Sequence, residues 1–156
     1  MIVAVDPGTD RSAIVRFNGQ RVVDHYIAGN DEILATLRAT CEDQRNGDIL
    51  VIEQIESFGM PVGREVFETV FFTGRIAELW HPGRVERVPR RVVKQHLCFS
   101  VRATDANIWQ ALVDRFGPTK ERAVGTKKAP GPLFGIKSHE RAALAVAITF
   151  HDQSNA

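Results

Sequence analysis

The stretch GDILVIEQIES, residues 47–57, contains the strand from which the rest of the fold can be inferred. Four consecutive apolar residues follow Gly47 and Asp48, and such a run is typical of a strand buried on both faces of a parallel sheet. Glu53 comes next, at a point where burial of an unpaired carboxylate costs free energy. Two interpretations stay open for this window. Glu53 either lies in solvent just past the strand, or it has a partner or a chemical role.

The segments before this strand predict two further kinds of element. MIVAVD, residues 1–6, is a short apolar strand that ends at a Pro-Gly turn. Residues 11–29 contain Asn-Gly between two strand-like runs, which is a strong hairpin signal. Asn30 can cap the helix that follows, whose apolar residues keep helical spacing.

The segments after it alternate between helix and strand. Residues 64–80 predict a largely buried helix, residues 84–88 a short strand, and residues 89–97 a helix with proline in its first turn. Then follow an amphipathic helix closed by glycine (105–117), a basic loop rich in Gly and Pro (118–137), and an apolar helix capped by Ser138. This order predicts one α/β domain over residues 1–156, with a mixed five-stranded sheet and helices on both faces.

Carboxylates at the ends of two strands indicate where a ligand site lies. Asp6 ends the first strand and Glu53 ends the fourth, and ligands of open α/β sheets bind at the carboxyl ends of parallel strands. Two such carboxylates repel unless a proton or a cation lies between them. Hard oxygen ligands suit Mg²⁺ or Mn²⁺, and two ions about 4 Å apart can hold a phosphodiester for hydrolysis. His139 and Glu140, in the first turn of the last helix, offer ligands from a third element.

Composition and charge narrow the class of protein. Hydrophobic residues make up 44% of the 156 residues, enough for one core, and no apolar run approaches the length of a membrane span. The N-terminus lacks the features of a signal peptide, and Cys41 and Cys98 have no metal-type spacing. These features favour a reduced cytosolic protein with no membrane partner.

The charges are unevenly distributed along the chain. Residues 1–83 carry 7 Lys and Arg against 13 Asp and Glu, whereas residues 84–141 carry 13 against 5. A basic half beside an acidic half indicates a polyanionic partner such as nucleic acid. An ordinary dipolar surface with internal ion pairs would give the same pattern, so both interpretations stay open.

Four motifs together resemble a known family. VAVDPG, VIEQI, VKQ and HERAALAVAIT occur in the order and spacing seen in RuvC-type Holliday junction resolvases of the ribonuclease H-like superfamily. FGMPVGREVFET and GTKKAPGP are most similar to connecting segments of the phage-type branch. The resemblance implies a homodimeric crossover junction endodeoxyribonuclease of bacterial or phage-infected host cytoplasm. It would use Mg²⁺ or Mn²⁺, two ions per active site, to nick four-way DNA junctions symmetrically.

The resemblance also implies roles for individual residues. Asp6 and Glu53 match the first two metal-binding catalytic acids, His139 matches the third ligand, and Lys94 matches a catalytic lysine near the scissile phosphate. The fourth acid of the family is replaced by Ala142. Glu140 is the only other acid in that motif, either as a substitute ligand or as a first-turn acid that favours the helix dipole.

A second catalytic lysine of many members has no match, because Asp105 stands about where it belongs and Arg102 is the nearest cation.

Phe58 and Met60, on a glycine-rich loop past the Glu53 strand, are candidates to wedge into a junction. Trp80 and Trp109 occupy helical core positions, which favours packing over base stacking. The cations expected to contact DNA are Arg64, Arg90, Arg91, Lys94, Arg102, Lys127 and Lys128.

Two alternatives to a junction resolvase remain. The same fold and metal site would serve a nuclease that acts on flaps, replication forks or RNA–DNA hybrids. Loss of the acid at Ala142 is compatible with a catalytically weakened protein that only binds junctions.

Overall fold

The structure, a computed structural model, describes residues 1–42, 47–57, 59 and 61–156. The first half of the chain contains the strands β1 (Ile2–Asp6), β2 (Arg11–Phe17) and β3 (Val22–Gly29), the helix α1 (Asn30–Glu42), the strand β4 (Ile49–Gln54), the helix α2 (Arg64–Leu79) and the strand β5 (Arg84–Pro89). The second half contains the helices α3 (Arg90–Cys98), α4 (Asp105–Phe116) and α5 (Lys120–Ala123), the two-residue strands β6 (Gly125–Thr126) and β7 (Ala129–Pro130), and the helix α6 (Ser138–Ser154).

The five long strands form one mixed sheet in the order β3-β2-β1-β4-β5. β1, β4 and β5 are parallel, and β2 is antiparallel to both of its neighbours. The hairpin predicted around Asn18 and Gly19 joins β2 to β3. The predicted fold class is therefore confirmed, and β1 and β4 are the neighbours that convergence of Asp6 and Glu53 requires.

Side-chain alternation along the strands divides the core into two clusters, one on each face of the sheet. Val3 and Val5 of β1 belong to the cluster that also contains buried residues of α1 and α2. Ile2 and Ala4 belong to the other cluster, which contains Val51 and the buried residues of α3, α4 and α6. Because the side-chain period of a strand is two, Asp6 and Glu53 continue the second set and face the α6 side of the sheet.

Helix α6 is the most buried helix on that face. Its residues 143–150 are all buried, and the helix packs across β1, β2 and β4. This packing fixes the position of its first turn, which carries His139. None of the helices in the described part of the chain has the length and apolar character needed to cross a lipid bilayer.

The turn after β1 is held by side-chain hydrogen bonds from Asn30. A Cβ at Gly8 would lie 2.2 Å from the Arg11 carbonyl oxygen, so only glycine fits there. Asn30 Nδ2 donates to the carbonyl oxygens of Gly8 and Thr9, at 3.1 and 2.9 Å, and Asn30 Oδ1 accepts from Ser12 Oγ at 2.7 Å. The predicted capping role of Asn30 is therefore wrong, because its side chain holds the turn beside Asp6 instead.

Helix α2 is less buried than its composition indicated. Phe67, Val70 and Phe71 are 64%, 51% and 68% exposed, whereas Phe72, Ile76 and the following Trp80 are buried. The prediction of a largely buried helix is wrong, because only one side of α2 packs on the sheet.

Three further local predictions are corrected. Ser138 is the first residue of α6, with φ of 35°, and Lys137 occupies the cap position. Pro89 precedes α3 as its cap residue rather than lying in its first turn. The segment predicted as a basic loop contains α5 and the β6–β7 hairpin, whose turn carries Lys127 and Lys128.

Candidate active site

The structure brings the two predicted acids together at the carboxyl ends of β1 and β4. Val5 pairs with Ile52 in the parallel register, so Asp6 and Glu53 are the next residues on adjacent strands. The Asp6 side chain is 14% exposed and that of Glu53 is 7% exposed. Glu53 Oε2 is buried and has no hydrogen-bond partner among the described residues. Such an atom needs a ligand, because an unsatisfied buried carboxylate oxygen is costly.

The electrostatics of this pair favour a bound positive charge. Burial and the neighbouring Glu53 carboxylate raise the pKa of Asp6 from 3.8 to about 7, and a hydrogen bond from His139 opposes part of this rise. At neutral pH the pair therefore retains a proton on a fraction of the molecules. A cation placed between the two carboxylates would displace that proton.

His139 reaches the same pair from α6. Its Nδ1 atom lies 2.8 Å from Asp6 Oδ2, and its side chain is 61% exposed. Three side chains from three separate elements, at positions 6, 53 and 139, thus meet on one side of the sheet. The imidazole adds a nitrogen donor to two carboxylates, a combination that Mn²⁺ accepts.

Arg90 and Asp105 are two members of the site whose position the sequence did not reveal. Arg90 Nη1 donates to Glu53 Oε1 at 2.6 Å, and Arg90 Nη2 donates to Asp105 Oδ1. Burial lowers and the Glu53 carboxylate raises the pKa of Arg90, with a net upward shift. A positional signal existed, because Arg90 directly follows β5, the third parallel strand, whose carboxyl end lies at the same edge.

These side chains line an open cleft of about 730 Å³. Trp109 and Arg141 form part of its wall, with the Arg141 guanidinium carbon 4.0 Å from the centre of the Trp109 ring. Ala142 also lines the cleft and offers no ligand there. Trp109 is half-buried, which places it at the edge of the core and of the cleft.

Glu140 does not join the cluster. Its side chain is 7% exposed, Oε1 lies 2.9 Å from Nδ1 of His25, and Oε2 accepts the backbone N–H of Lys137 at 2.7 Å. Both oxygens are therefore engaged in fixing the start of α6 against β3. Of the two interpretations left open by the sequence, this geometry favours a structural role, and the proposed metal site does not include Glu140.

The other predicted residues lie outside the cleft walls. Lys94 is half-buried one helical turn beyond Arg90, where its charge acts on Cys98. Arg91 bonds to Glu56 at 2.9 Å and Arg64 to Glu68 at 3.4 Å. The exposed cations of this group are Arg64, Arg91, Arg102, Lys127 and Lys128. Phe58 and Met60 lie outside the described residues.

The donor atoms of the cleft fit one divalent ion better than two. Within residues 1–42, 47–57, 59 and 61–156, no three His, Cys, Asp or Glu side chains already adopt a metal-binding arrangement. The buried pair of Asp6 and Glu53 nevertheless fits one ion, since Glu53 Oε2 lacks a partner among these residues and an ion would relieve the repulsion that raises the pKa of Asp6. His139 stands beside this pair as the third donor. Ala142 and the ion-paired Arg90 leave a second ion without comparable ligands.

Comparison with known proteins supports the fold. No protein-family model and no curated protein sequence matches the chain. The solved structures that match include two that cover 99% of it at 17% identity. One is Thermus thermophilus RuvC, with a TM-score of 0.64 over 96% of that chain. The other is T. thermophilus RuvC in complex with Holliday junction substrate, with a TM-score of 0.68 over 95% of that chain. The chain therefore has the ribonuclease H-like α/β fold found in RuvC.

Proposed function

We propose that this protein is a divalent-metal-dependent endonuclease that resolves Holliday junctions by paired, symmetric hydrolysis of phosphodiester bonds. The observation that carries the proposal is the buried carboxylate pair of Asp6 and Glu53 beside His139, at the cleft of a RuvC-like fold. A nuclease of this kind is supported further by the second comparison structure, which is RuvC bound to a Holliday junction substrate.

Asp6, Glu53 and His139 would hold the metal. When bound, a divalent ion supplies an activated water and stabilises charge on the phosphate oxygens. The protein's own contribution is to keep the two carboxylates buried and close together beside His139, so that their charge repulsion is relieved by a proton or an ion. Arg90, which is 36% exposed and lines the cleft, adds a guanidinium that can contact a phosphate.

The DNA surface is proposed to extend from the cleft over the exposed cations. Lys127 and Lys128 project at the turn between β6 and β7, where Gly125 adopts φ of 70° and a Cβ would lie 2.3 Å from the Ala129 carbonyl oxygen. These contacts would be to phosphates and would carry affinity rather than sequence preference. Lys94 as a catalytic group, and Phe58 and Met60 as junction wedges, stay predictions.

A second copy of the chain is proposed to cover the exposed face of α2. Phe67, Val70 and Phe71 recur at helical spacing, and Val70 and Phe71 border a groove of about 840 Å³ between α1 and α2. Exposed apolar patches of this kind mark interaction sites. The groove is lined by two cations, Arg38 and Arg75, and two acids, Glu42 and Glu78. Equal numbers of opposite charges allow two identical surfaces to pair around a two-fold axis.

A second candidate function has one observation in its favour. Because Ala142 faces the cleft and supplies no ligand, the chain could be a junction-binding protein with weakened catalysis. Such a protein would bind four-way junctions without nicking them under any choice of metal.

One assay separates these functions. The purified protein is incubated with four-way junctions, flaps, forks and RNA–DNA hybrids in Mn²⁺ or Mg²⁺, and products are resolved on denaturing gels. A resolvase nicks the junction far faster than the other three substrates. Preferential cutting of a flap, fork or hybrid would replace the junction as substrate. Binding to the junction without nicking in either metal would favour the weakened protein.

A further inference from the structure

Arg90 is held in the candidate active site by two acids from different elements. Its Nη1 atom bonds to Glu53 of β4 and its Nη2 atom to Asp105 of α4, while its backbone begins α3 directly after β5. A guanidinium fixed at both terminal nitrogens is pre-organised, because little side-chain freedom remains to be lost when another group binds. The Arg90 guanidinium therefore has a defined position in the cleft, unlike that of a surface arginine without such partners.

The charge balance of the cleft indicates how many metal ions it accepts. Its lining contains three acids, Asp6, Glu53 and Asp105, and two arginines, Arg90 and Arg141, so its formal charge is −1 with His139 neutral. One divalent ion changes this to +1, which matches the single negative charge of a phosphodiester. Two divalent ions would leave a charge of +3 in a partly buried site, which is unfavourable.

The ligand atoms of the cleft also indicate one divalent ion per site. Glu53 Oε1 is already bonded to Arg90, whereas the buried Glu53 Oε2 has no partner in the described part of the chain. Asp105 gives Oδ1 to Arg90 and its side chain is 82% exposed, so it is not a buried ligand comparable to Glu53, and Ala142 provides no oxygen. Oε1 of Glu53 thus binds the guanidinium, whereas Oε2, together with Asp6 and His139, is left to bind one ion.

We propose that the Arg90 guanidinium takes the place of a second metal ion, so that each active site binds one divalent cation and uses Arg90 as its other positive charge. This inference rests on the proposed nuclease function. In it, Arg90 neutralises Glu53 from one side and donates further N–H groups to a phosphate oxygen of the bound strand. Asp105 is the positioning residue that keeps the guanidinium in place.

The test counts Mn²⁺ ions by the electron paramagnetic resonance signal of the free ion, with DNA absent, at a pH of about 8. The wild-type protein is expected to bind one Mn²⁺ per protomer. Arg90→Gln should bind its ion at least about tenfold more tightly, because a nearby positive charge is gone. Arg90→Gln combined with Ala142→Asp should bind two. Arg84→Gln removes an arginine at the opposite end of β5 and should behave as wild type.

Nicking of a four-way junction provides the second readout. Arg90→Gln should cut at least about a hundredfold more slowly, in keeping with the loss of one fixed donor to the reacting phosphate. Arg90→Lys keeps the charge, so it should retain the one-ion count even though it loses the planar fork. Comparison of the melting temperatures of all four variants identifies any loss of rate that reflects unfolding.

The outcomes separate the inference from the function on which it rests. Two Mn²⁺ ions per wild-type protomer together with normal nicking would overturn the role of Arg90 and leave the nuclease function intact. Nicking by Arg90→Gln at the wild-type rate would also overturn the role of Arg90 and leave the nuclease function intact. A wild-type protein that binds no Mn²⁺ and does not nick would overturn both.

Discussion

At the scale of single residues, Asp6 gives the site its dependence on pH. The pKa of Asp6 is raised from 3.8 to about 7 by burial and by Glu53, so the folded chain binds this proton more tightly than the unfolded chain. Between these two values the unfolded state has lost the proton and the folded state retains it. The free energy of unfolding of the metal-free protein should therefore fall as pH rises from about 4 to 7.

This prediction is checked by melting temperatures in metal-free buffer at pH values of about 5 and 8. Wild type should lose several degrees more than Asp6→Asn over this interval, from a contribution of at most about 3 kcal/mol. Mn²⁺ added at the higher pH should raise the melting temperature of wild type and leave that of the variant unchanged. Parallel pH curves for the two proteins would contradict the raised pKa.

The sequence predicted Asp6, Glu53 and His139 as a cluster because strand ends and a helix start are local signals. It named Arg90 only as one of several cations expected to contact DNA, in a run with Arg91, and not as a member of this cluster. The position of Arg90 directly after β5 indicates the correct edge of the sheet, but it does not show which of the two guanidinium groups turns toward Glu53. That choice depends on Asp105, 15 positions away on another helix.

At the scale of elements, the start of α6 determines where His139 points. Glu140 holds it through His25 and the Lys137 backbone, and Ser138 adopts a left-handed φ of 35° immediately before His139. A non-glycine residue in this region is strained, and the surrounding contacts must stabilise it. The Glu140 contact with His25 spans 115 positions, which explains why sequence patterns did not reveal it.

Glu140→Gln should therefore lower stability by about 1–3 kcal/mol, since a buried charged acceptor with two partners is weakened. Mn²⁺ binding should persist. The measurements are denaturant unfolding and Mn²⁺ titration, with His25→Gln and the double variant completing a mutant cycle. An unchanged stability together with lost Mn²⁺ binding would instead make Glu140 a metal ligand.

Helix α2 shows a different limit of sequence interpretation. Its apolar content predicted burial, but composition does not distinguish a face covered by the sheet from one covered by another chain. The exposed residues Phe67, Val70 and Phe71 are the part that the fold leaves uncovered.

Phe71→Glu should convert a dimer to a monomer, because a charge placed in the α2 face would be buried unpaired between the two copies. Analytical ultracentrifugation measures the mass in solution. Phe99→Glu is the matched control, since Phe99 is 86% exposed but lies after α3. A wild-type monomer, or equal effects of the two substitutions, would contradict the proposed interface.

At the scale of the whole molecule, the mixed five-stranded sheet and most of the element sequence were predictable because hairpin, turn and periodicity signals are short-ranged. The order of the strands in the sheet was not predicted, since it depends on pairings between distant segments. The hairpin of β6 and β7 was not, since each strand has two residues and the pairing depends on tertiary packing. The glycines of this region show how closely its backbone segments pack, since a Cβ at Gly131 would lie 2.5 Å from the carbonyl oxygens of Arg122 and Ala123.

The uneven charge distribution gives a prediction about binding. Replacing both Lys127 and Lys128 by Ala should weaken binding to junctions and to linear duplex alike. The slope of log affinity against log salt should fall by about two units, one for each lost phosphate contact. Fluorescence anisotropy over a salt series measures this, with Arg21→Ala, an exposed cation after the β2–β3 turn, as control. An effect confined to junctions, or no change in slope, would contradict a phosphate-contacting role.

The measurement that tests the central claim most directly is the nicking of a four-way junction with each arm end-labelled in turn, in Mn²⁺, by wild type and Asp6→Asn. The variant removes one ligand charge with almost no change in volume, so it should bind the junction as well as wild type or better. Wild type is expected to produce paired nicks at symmetric positions in two opposing strands, and Asp6→Asn to produce none. Equal nicking by both proteins would contradict a metal-dependent active site built on Asp6.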